Sequence, residues 1–445
     1  MFSLGIDVGT SGVRALLMDG HKTPISQAQI DFKNIELNIK NQTIAPYSKK
    51  PHEWLSALHL VLLQVKETLQ KKALDLSSIS HLALDGTSGS VLLSDTKGTI
   101  LTDVLMYNDQ RAVEQAKYIG NYAPTNTAAI GASSGLAKIL WLAEHHKEQI
   151  SDKTCFLNQA DWLTGYFSGK FAISDHNNAL KMGYDAQKHC WPQWLLELLE
   201  RYHLKPSILP EVLAPGTVIG NILPEFCQKY GFHPNLKICA GTTDSTAAIM
   251  ATGADHIGQA VTSLGSTLVM KILSKQPIFD PYYGVYSQPY GDLWLVGGSS
   301  NSGGAILQSL FQTHELMAMT DELDHKRVMG QFTLQDLHYY PLLTQGERFP
   351  INDPHKIPII SPKPSKQCDF FQALLEGMAD IEAMAYKKLV DLGAPYPKLI
   401  RSIGGGAKNK TWQFIREQKI GVPIIIAEQQ QAAAGSAILA QKFWK

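Results

Sequence analysis

The sequence predicts an α/β protein assembled from a duplicated unit, and three observations lead there. Strands and helices interleave along the chain. Two apolar hairpins with Gly/Ser/Thr turns, at residues 4–18 and 260–271, lie roughly 250 residues apart, as repetition of one architecture would place them. The length, 445 residues, exceeds one ordinary core at about 150 residues per domain and allows two or three lobes.

The first hairpin reads Leu4-Gly5-Ile6-Asp7-Val8-Gly9-Thr10-Ser11-Gly12-Val13-Arg14-Ala15-Leu16-Leu17-Met18. Gly9 and Gly12 can take up positive φ and let the backbone approach a ligand closely, while Thr10 and Ser11 add hydroxyl donors; such a turn suits phosphate. Asp7 is the unusual residue. A carboxylate ending a strand otherwise fit for a core must face a cavity, hold a cation through water, or accept hydrogen bonds from the turn. In isolation the hairpin also fits an Asx-type turn.

Residues 54–70 carry apolar positions at helical spacing (Trp54, Leu55, Leu58, Val61, Leu62, Val65), and the strand His81–Asp85 follows. The order repeats later: a strand at Leu236–Ala240 ends in Gly241-Thr242-Thr243-Asp244-Ser245, and residues 246–252 read as a helix. At that helix N-terminus the dipole favours ionised Asp244, which either caps the helix or projects into a cleft. The second hairpin turns at Gly265-Ser266-Thr267. A third glycine cluster, Gly404-Gly405-Gly406-Ala407-Lys408-Asn409, links a strand to a helix; bare backbone there admits a flat ligand, to which Asn409 offers a donor and an acceptor. This segment is not a P-loop, because Asn409 occupies the place of the required second glycine.

Composition excludes several classes. With 40 basic and 40 acidic residues there is no electrostatic reason to expect nucleic acid or an anionic membrane as partner. No apolar run approaches the roughly 20 residues of a membrane span, and the first residues lack the pattern of a signal peptide, so a cytoplasmic location is expected. Five cysteines without a close pair read as reduced, structural thiols, and no Cys/His spacing suits a zinc site.

Taken together, these segments resemble the sugar kinases of the FGGY family, in the actin-like ATPase superfamily, and the resemblance spans nearly the whole chain. Gly5–Ser11 resembles the family's first phosphate motif and Ser263–Thr267 the second, while Gly241–Ser245 is similar to the segment carrying the catalytic Asp. Gly404–Asn409 with Trp412 resembles the adenosine motif; Ala160–Gly165 and Tyr107–Arg111 resemble segments of the sugar-binding lobe. Near Gly135 many family members carry a proline that this chain lacks. The resemblance implies a duplicated ribonuclease H-like, two-lobe α/β fold with a cleft between the lobes. It places a sugar-binding lobe at residues 1–250 plus 431–445 and a nucleotide-binding lobe at 251–430.

The implied chemistry is ATP-dependent phosphorylation of a sugar hydroxyl with Mg²⁺. Asp244 would be the base, and Asp7, with Asp244, would serve the metal; Thr10 joins them as a catalytic residue. ATP would meet Thr10, Ser11, Gly265, Ser266, Thr267, Gly404, Gly405, Asn409 and Trp412, with Trp412 beside the adenine or else in the core. The sugar would meet Asp7, Ser88, Asn108 and Asp244. The loop Gly86-Thr87-Ser88-Gly89-Ser90, with 174–180 and 297–304, looks more like short ribulokinase-like members than xylulokinases, so D-ribulose leads, with D-xylulose or another pentulose or polyol as alternative.

Asp109 and Arg111 read as a surface salt bridge or a substrate contact, His145 and His146 as charges at a helix C-terminus, and Gln429–Gln431 as a solvated opening of the last helix. An actin-like ATPase without sugar chemistry, or an inactive sugar sensor, remain alternatives; a monomer or homodimer is expected.

Overall fold

The computed structural model describes residues 2–35, 49–335 and 337–441; Met1 and residues 442–445 of the expected first lobe lie outside them. The chain forms two compact units, Met1–Ala251 with Gln431–Lys445, and Thr252–Gln430.

In the first unit the opening hairpin becomes β1 (Phe2–Val8) and β2 (Gly12–Asp19), extended by β3 (Pro24–Asp31). After helix α1 (Lys49–Gln70) comes β4 (Ile79–Gly86), which lies parallel to β1. The middle of the unit holds two small sheets, β5 (Val91–Asp95) with β6 (Thr154–Asn158) and β7 (Ile173–Asp175) with β8 (Glu211–Leu213). Its helices are α2 (Val113–Gly120), α3 (Gly135–His145), α4 (Gln159–Ser168), α5 (His176–Leu180) and α6 (Gln193–Arg201). The chain then makes β9 (Val218–Asn221), α7 (Pro224–Tyr230), β10 (Lys237–Cys239), β11 (Thr242–Thr243) and α8 (Asp244–Ala251). The main sheet runs β3-β2-β1-β4-β10-β9, with β11 beside β4.

The second unit repeats that logic. Its sheet runs β14-β15-β13-β12-β16-β17, from β12 (Gln259–Leu264), β13 (Leu268–Ser274), β14 (Tyr286–Tyr290), β15 (Leu293–Ser300), β16 (Leu399–Ile403) and β17 (Ile424–Ile426). In both units a hairpin's first strand pairs antiparallel with its second and parallel with a later strand: β1 with β2 and β4, β12 with β13 and β16. Helices α9 (Gly304–Leu310), α10 (Thr313–Val328), α11 (Gln367–Asp391) and α12 (Lys410–Ile420) complete it. Much of α11 is buried in this unit's core, with Phe371, Leu374, Leu375, Met378 and Ile381 among its core residues.

Helix α13 (Ala432–Ala440) returns to the first unit. Alternation explains how β1 and β2 are covered on both faces. Leu4, Ile6, Val13, Ala15 and Leu17 join a core with Trp54, Leu58, Val61 and Leu62 of α1, whereas Leu16 and Met18 pack with Ala433, Ala434 and Ala437 of α13. Gly5 faces α13 as well: a methyl there would overlap the Ala433 carbonyl, and one on Gly435 would overlap that of Ala247 in α8.

Two local expectations change. Gly9 and Gly12 are not among the positive-φ glycines; Gly12 is needed because a side chain would overlap the Ile30 carbonyl of β3, so close strand packing replaces backbone conformation as the reason. Gln429–Gln431 precede α13 instead of opening its first turn, and Gln430 Oε1 accepts the Gly404 N–H at 3.0 Å.

Gly5→Ala is expected to destabilise the protein by about 1–3 kcal/mol, because rigid backbone opposes the new methyl. Gly120→Ala, where a methyl meets nothing within 4 Å, serves as the control. Urea unfolding of both variants measures the difference.

Candidate active site

Parallel pairing of β1 and β4 sets Asp7 opposite Asp85, and β11 sets Thr242 opposite Asp85 on the other side. One residue after β11 the chain enters α8 at Asp244. Three carboxylates therefore gather at the ends of neighbouring strands.

Their environments differ. Asp85 is fully buried, and burial pushes its carboxyl well above the usual range, with the charges of Asp7 and Asp244 adding to the effect; Ser436 Oγ, on α13, donates to Oδ2 at 2.5 Å and pulls back. Asp7 is also raised by burial, opposed by the neighbouring Asp85 carboxyl and by Arg14, whose Nη1 lies 3.1 Å from Oδ2. Asp244, half-buried, is pushed up to about 6 by burial; the Ser245 N–H at 2.6 Å opposes this, the charge of Asp7 adds to it, and Lys181 and the Ser88 N–H oppose it. Capping of α8 falls to Thr243, whose Oγ1 accepts the Thr246 N–H at 3.4 Å. Asp244 is thus not the N-cap residue of α8, although its Oδ1 accepts the Ser245 N–H, and its carboxylate lies beside Ser88.

The Ser88 loop is held rigidly. Gln159 Oε1 accepts from Thr87 N at 2.9 Å and Thr87 Oγ1 at 2.7 Å, and Thr87 Oγ1 shares a 2.6 Å bond with Ser90 Oγ. Ser90 Oγ in turn accepts from Tyr107 N at 2.9 Å, which ties the loop to the exposed turn carrying Asn108. Lys138, fully buried on α3, donates to the carbonyls of Gly89 (2.8 Å) and Met106 (2.7 Å); burial pushes its ammonium down to about 8, opposed by the charge of Asp109. Asn177 Nδ2 reaches Thr242 Oγ1 at 3.0 Å, and Lys181 follows α5 to face Asp244. Asp109 and Arg111 form a 2.9 Å ion pair, with the guanidinium 5.0 Å over the Trp141 ring; His145 ends α3 and stacks on the same ring.

Thr10 and Ser11 are exposed at the tip of the first hairpin, closed by Gly9 N donating to Gly12 O at 3.0 Å. In the second unit Ser266 is exposed at the corresponding tip, between half-buried Gly265 and Thr267. The 297–304 segment lies beneath this tip: Gly304 N donates to Gly265 O at 2.8 Å, and a side chain on Gly303 would approach Ser266 O to 2.6 Å. In the third glycine cluster Gly404 takes φ +87°, and Gly405 is open, with nothing within 4 Å of an added methyl.

Asn409 and Trp412 are used differently from the expectation. Asn409 Oδ1 caps α12 by accepting Trp412 N at 2.8 Å and its Nδ2 reaches Thr320 Oγ1 at 3.3 Å, so both polar ends are already engaged. The Trp412 ring is 3% exposed and packs in the core under Gly406, where an added methyl would overlap it. At Gly405 the exposed surface of this turn is bare backbone.

The residues fit a magnesium ion that keeps its water. Among the described residues no group of three or more His, Cys, Asp or Glu is spaced to cage a metal, but Mg²⁺ commonly needs only one or two carboxylates plus phosphate oxygens. Asp7 and Asp244 satisfy that donor set.

Sequence reasoning missed Asp85, Lys138, Gln159 and Lys181. Asp85 had a signal, since Leu84-Asp85-Gly86 repeats the apolar-acid pattern of Ile6-Asp7; Lys181 had none.

Two further buried acids frame the unit. Asp161 accepts from Asn158 N (3.0 Å) and Nδ2 (2.8 Å), and burial with the charge of Asp175 pushes it up to about 7; Asp175, which caps α5, is pushed by burial to about 6. A carboxyl raised on folding contributes stability below its unfolded value that is lost as pH rises through the folded one. Asp161→Asn removes this loss, so the melting temperature of the variant minus that of the wild type should grow between about pH 5 and pH 8. Parallel calorimetric profiles would contradict it.

Residues 2–251 match the N-terminal domain of the FGGY family of carbohydrate kinases and residues 260–443 match its C-terminal domain. The xylulose kinase of Staphylococcus epidermidis is 22% identical over 451 residues, covering 98% of this chain and 87% of the relative. The autoinducer-2 kinase of Yersinia pseudotuberculosis is 22% identical over 466 residues, covering 99% and 85%. Among solved structures, the xylulose kinase of Rhodospirillum rubrum superposes with TM-score 0.81 at 20% identity, covering 99% of this chain and 89% of that one. Plasmodium falciparum glycerol kinase with ADP gives 0.80 at 17% identity, with coverages of 99% and 89%. The fold is the mixed α/β, actin-like ATPase fold of these kinases. The chain belongs to the FGGY family of carbohydrate kinases, enzymes whose substrates are a small sugar and ATP.

Proposed function

We propose that the sugar is a ketopentose, D-ribulose, converted to its 5-phosphate, with Asp244 as the base. The observation that carries the reading is the setting of Asp244: an acid pushed up to about 6 beside the pinned Ser88 loop and the Lys181 ammonium. A base of that strength is ionised at neutral pH yet basic enough to accept a proton from a hydroxyl as it attacks phosphorus. The Ser88 hydroxyl and the Lys181 ammonium donate to sugar oxygens and orient the attacking hydroxyl toward Asp244; Asn108, on the turn tied through Ser90, borders the sugar. D-xylulose is as well supported, since several relatives are named xylulose kinase. The loop Gly86–Ser90 favours D-ribulose.

For the nucleotide, the first unit offers the hydroxyls of Thr10 and Ser11, and the second those of Ser266 and Thr267 with the Gly265 amide, as fixed dipoles for phosphate oxygens. Gly404 and Gly405 present bare backbone to the adenosine, with Asn409 and Trp412 supporting the turn from within. Mg²⁺, when bound, neutralises triphosphate charge, and Asp7, with Asp244 beside it, would hold it through water. Arg14, with Nη1 3.1 Å from Oδ2, orients Asp7 and opposes the effect of burial on its carboxyl.

ADP release measured against D-ribulose, D-xylulose, L-ribulose, glycerol and gluconate should be stimulated most by D-ribulose; stronger stimulation by another sugar reassigns the substrate. Asp244→Asn should lower kcat about 10²- to 10⁴-fold while ATP and sugar still bind. In the wild type kcat/KM should fall below pH 6 as Asp244 takes up its proton, about tenfold per pH unit. A flat profile from pH 5 to 8, or unchanged turnover in the variant, would remove Asp244 from the role. Asp7→Ala should weaken Mg-dependent turnover far more than it lowers the melting temperature.

A further inference from the structure

We propose that a buried ion pair in the second unit, Arg416 with Glu382, is a positioning device that sets the spacing of the two nucleotide-facing turns, Gly265–Thr267 and Gly404–Gly406; this rests on the assignment of those turns to ATP.

Both side chains are 1% exposed. Arg416, on α12, engages Glu382, on α11, through two parallel bonds: Nε to Oε2 at 2.5 Å and Nη2 to Oε1 at 2.7 Å. Each partner has a further bond, and each leads to a strand. Arg416 Nη1 donates to Ser402 Oγ at 2.7 Å, and Thr262 Oγ1 donates to Glu382 Oε1 at 2.6 Å. Thr262 and Ser402 are register partners on the parallel strands β12 and β16. From that rung β12 runs into Gly265 within three residues, and β16 reaches Gly404 within two. The turns are adjacent, since a methyl on Gly404 would lie 2.9 Å from Leu264 O. Asn409, which caps α12 beside the second turn, sits on the same helix as Arg416.

Stability alone does not explain the arrangement. Replacing a buried ion pair by apolar groups of similar volume is often neutral or stabilising, whereas removing one partner is strongly destabilising. What the guanidinium fork adds is direction: two bonds fix its plane, and the third arm then points to one place only. Here that geometry joins two helices and two strands at a single level, directly behind backbone groups that must meet phosphate and adenosine in register. The side chains touch no ligand and act through the strands, so they are positioning residues.

The test uses the full-length protein and separates folding from positioning. In the double variant Glu382→Leu/Arg416→Met the charges leave together. The melting temperature should stay near the wild-type value, while the KM for MgATP and its calorimetric Kd should rise about tenfold, the scale of small misplacements of binding groups. The KM for the sugar should change less than about twofold, because its contacts lie on other strands. Thr262→Val and Ser402→Ala, each cutting one strand from the pair, should raise the KM for MgATP by smaller factors. Arg416→Lys, which keeps the charge but not the fork, should also raise the KM for MgATP. Unchanged MgATP affinity in a folded double variant overturns the proposal, as does an equal rise in both KM values. If the double variant does not fold, unchanged MgATP affinity in Thr262→Val and Ser402→Ala overturns it. Should the wild type bind MgATP but phosphorylate no sugar, the proposed substrate fails and the clamp is still read from Kd; if it binds no nucleotide, both fall.

Discussion

The first unit depends on a contact between two backbones. Helix α13 lies against β1 where Gly5 has no side chain, and against α8 where Gly435 has none. In a close-packed interior such contacts do not stretch. With α13 at that distance, the Ser436 hydroxyl reaches the buried carboxyl of Asp85, and Gln441 Nε2 reaches Ser3 Oγ at 2.8 Å and the Asp19 carbonyl at 2.7 Å. The acid cluster is therefore supported from behind by small buried residues.

Three carboxylates that close together in a low dielectric cannot all be charged without a large penalty. The structure sorts them by environment. Asp85, with no exposure, has its carboxyl pushed well above the usual range; Asp7 has Arg14; Asp244 retains partial exposure, two N–H groups and a lysine. Separating neighbouring acids in this way assigns them separate work. Lys138 is the complementary case. Among the described residues no carboxylate is in contact with its ammonium, which is solvated by two main-chain carbonyls, so it fastens two loops together without adding a negative charge nearby.

Local periodicity made much of the fold legible. The hairpins, the apolar face of α1 and the strand-to-helix turns at Gly241 and Gly404 all follow from residues close in sequence. What stayed hidden depends on long-range packing. Ser436 and Asp85 are 351 residues apart, and no spacing rule connects them. Gly12 was legible as a necessary glycine, but its reason, the neighbouring strand, was not. Asn409 and Trp412 carry the right chemistry for a ligand, yet capping and core packing claim them first, since a helix end and a buried ring both need partners within the protein. Lys181 looks like any surface lysine until α5 is placed against Thr242.

Helix α13 also bears on how the chain is made. The second unit is continuous, from Thr252 to Gln430, and holds its own core, so nothing in its connectivity delays its collapse during synthesis. The first unit is begun earlier and finished later. Until residues 432–440 emerge from the ribosome, the face of β1 around Gly5 and the apolar side chains Leu16 and Met18 lack their cover. Of the two units, the one translated first is thus the one completed last.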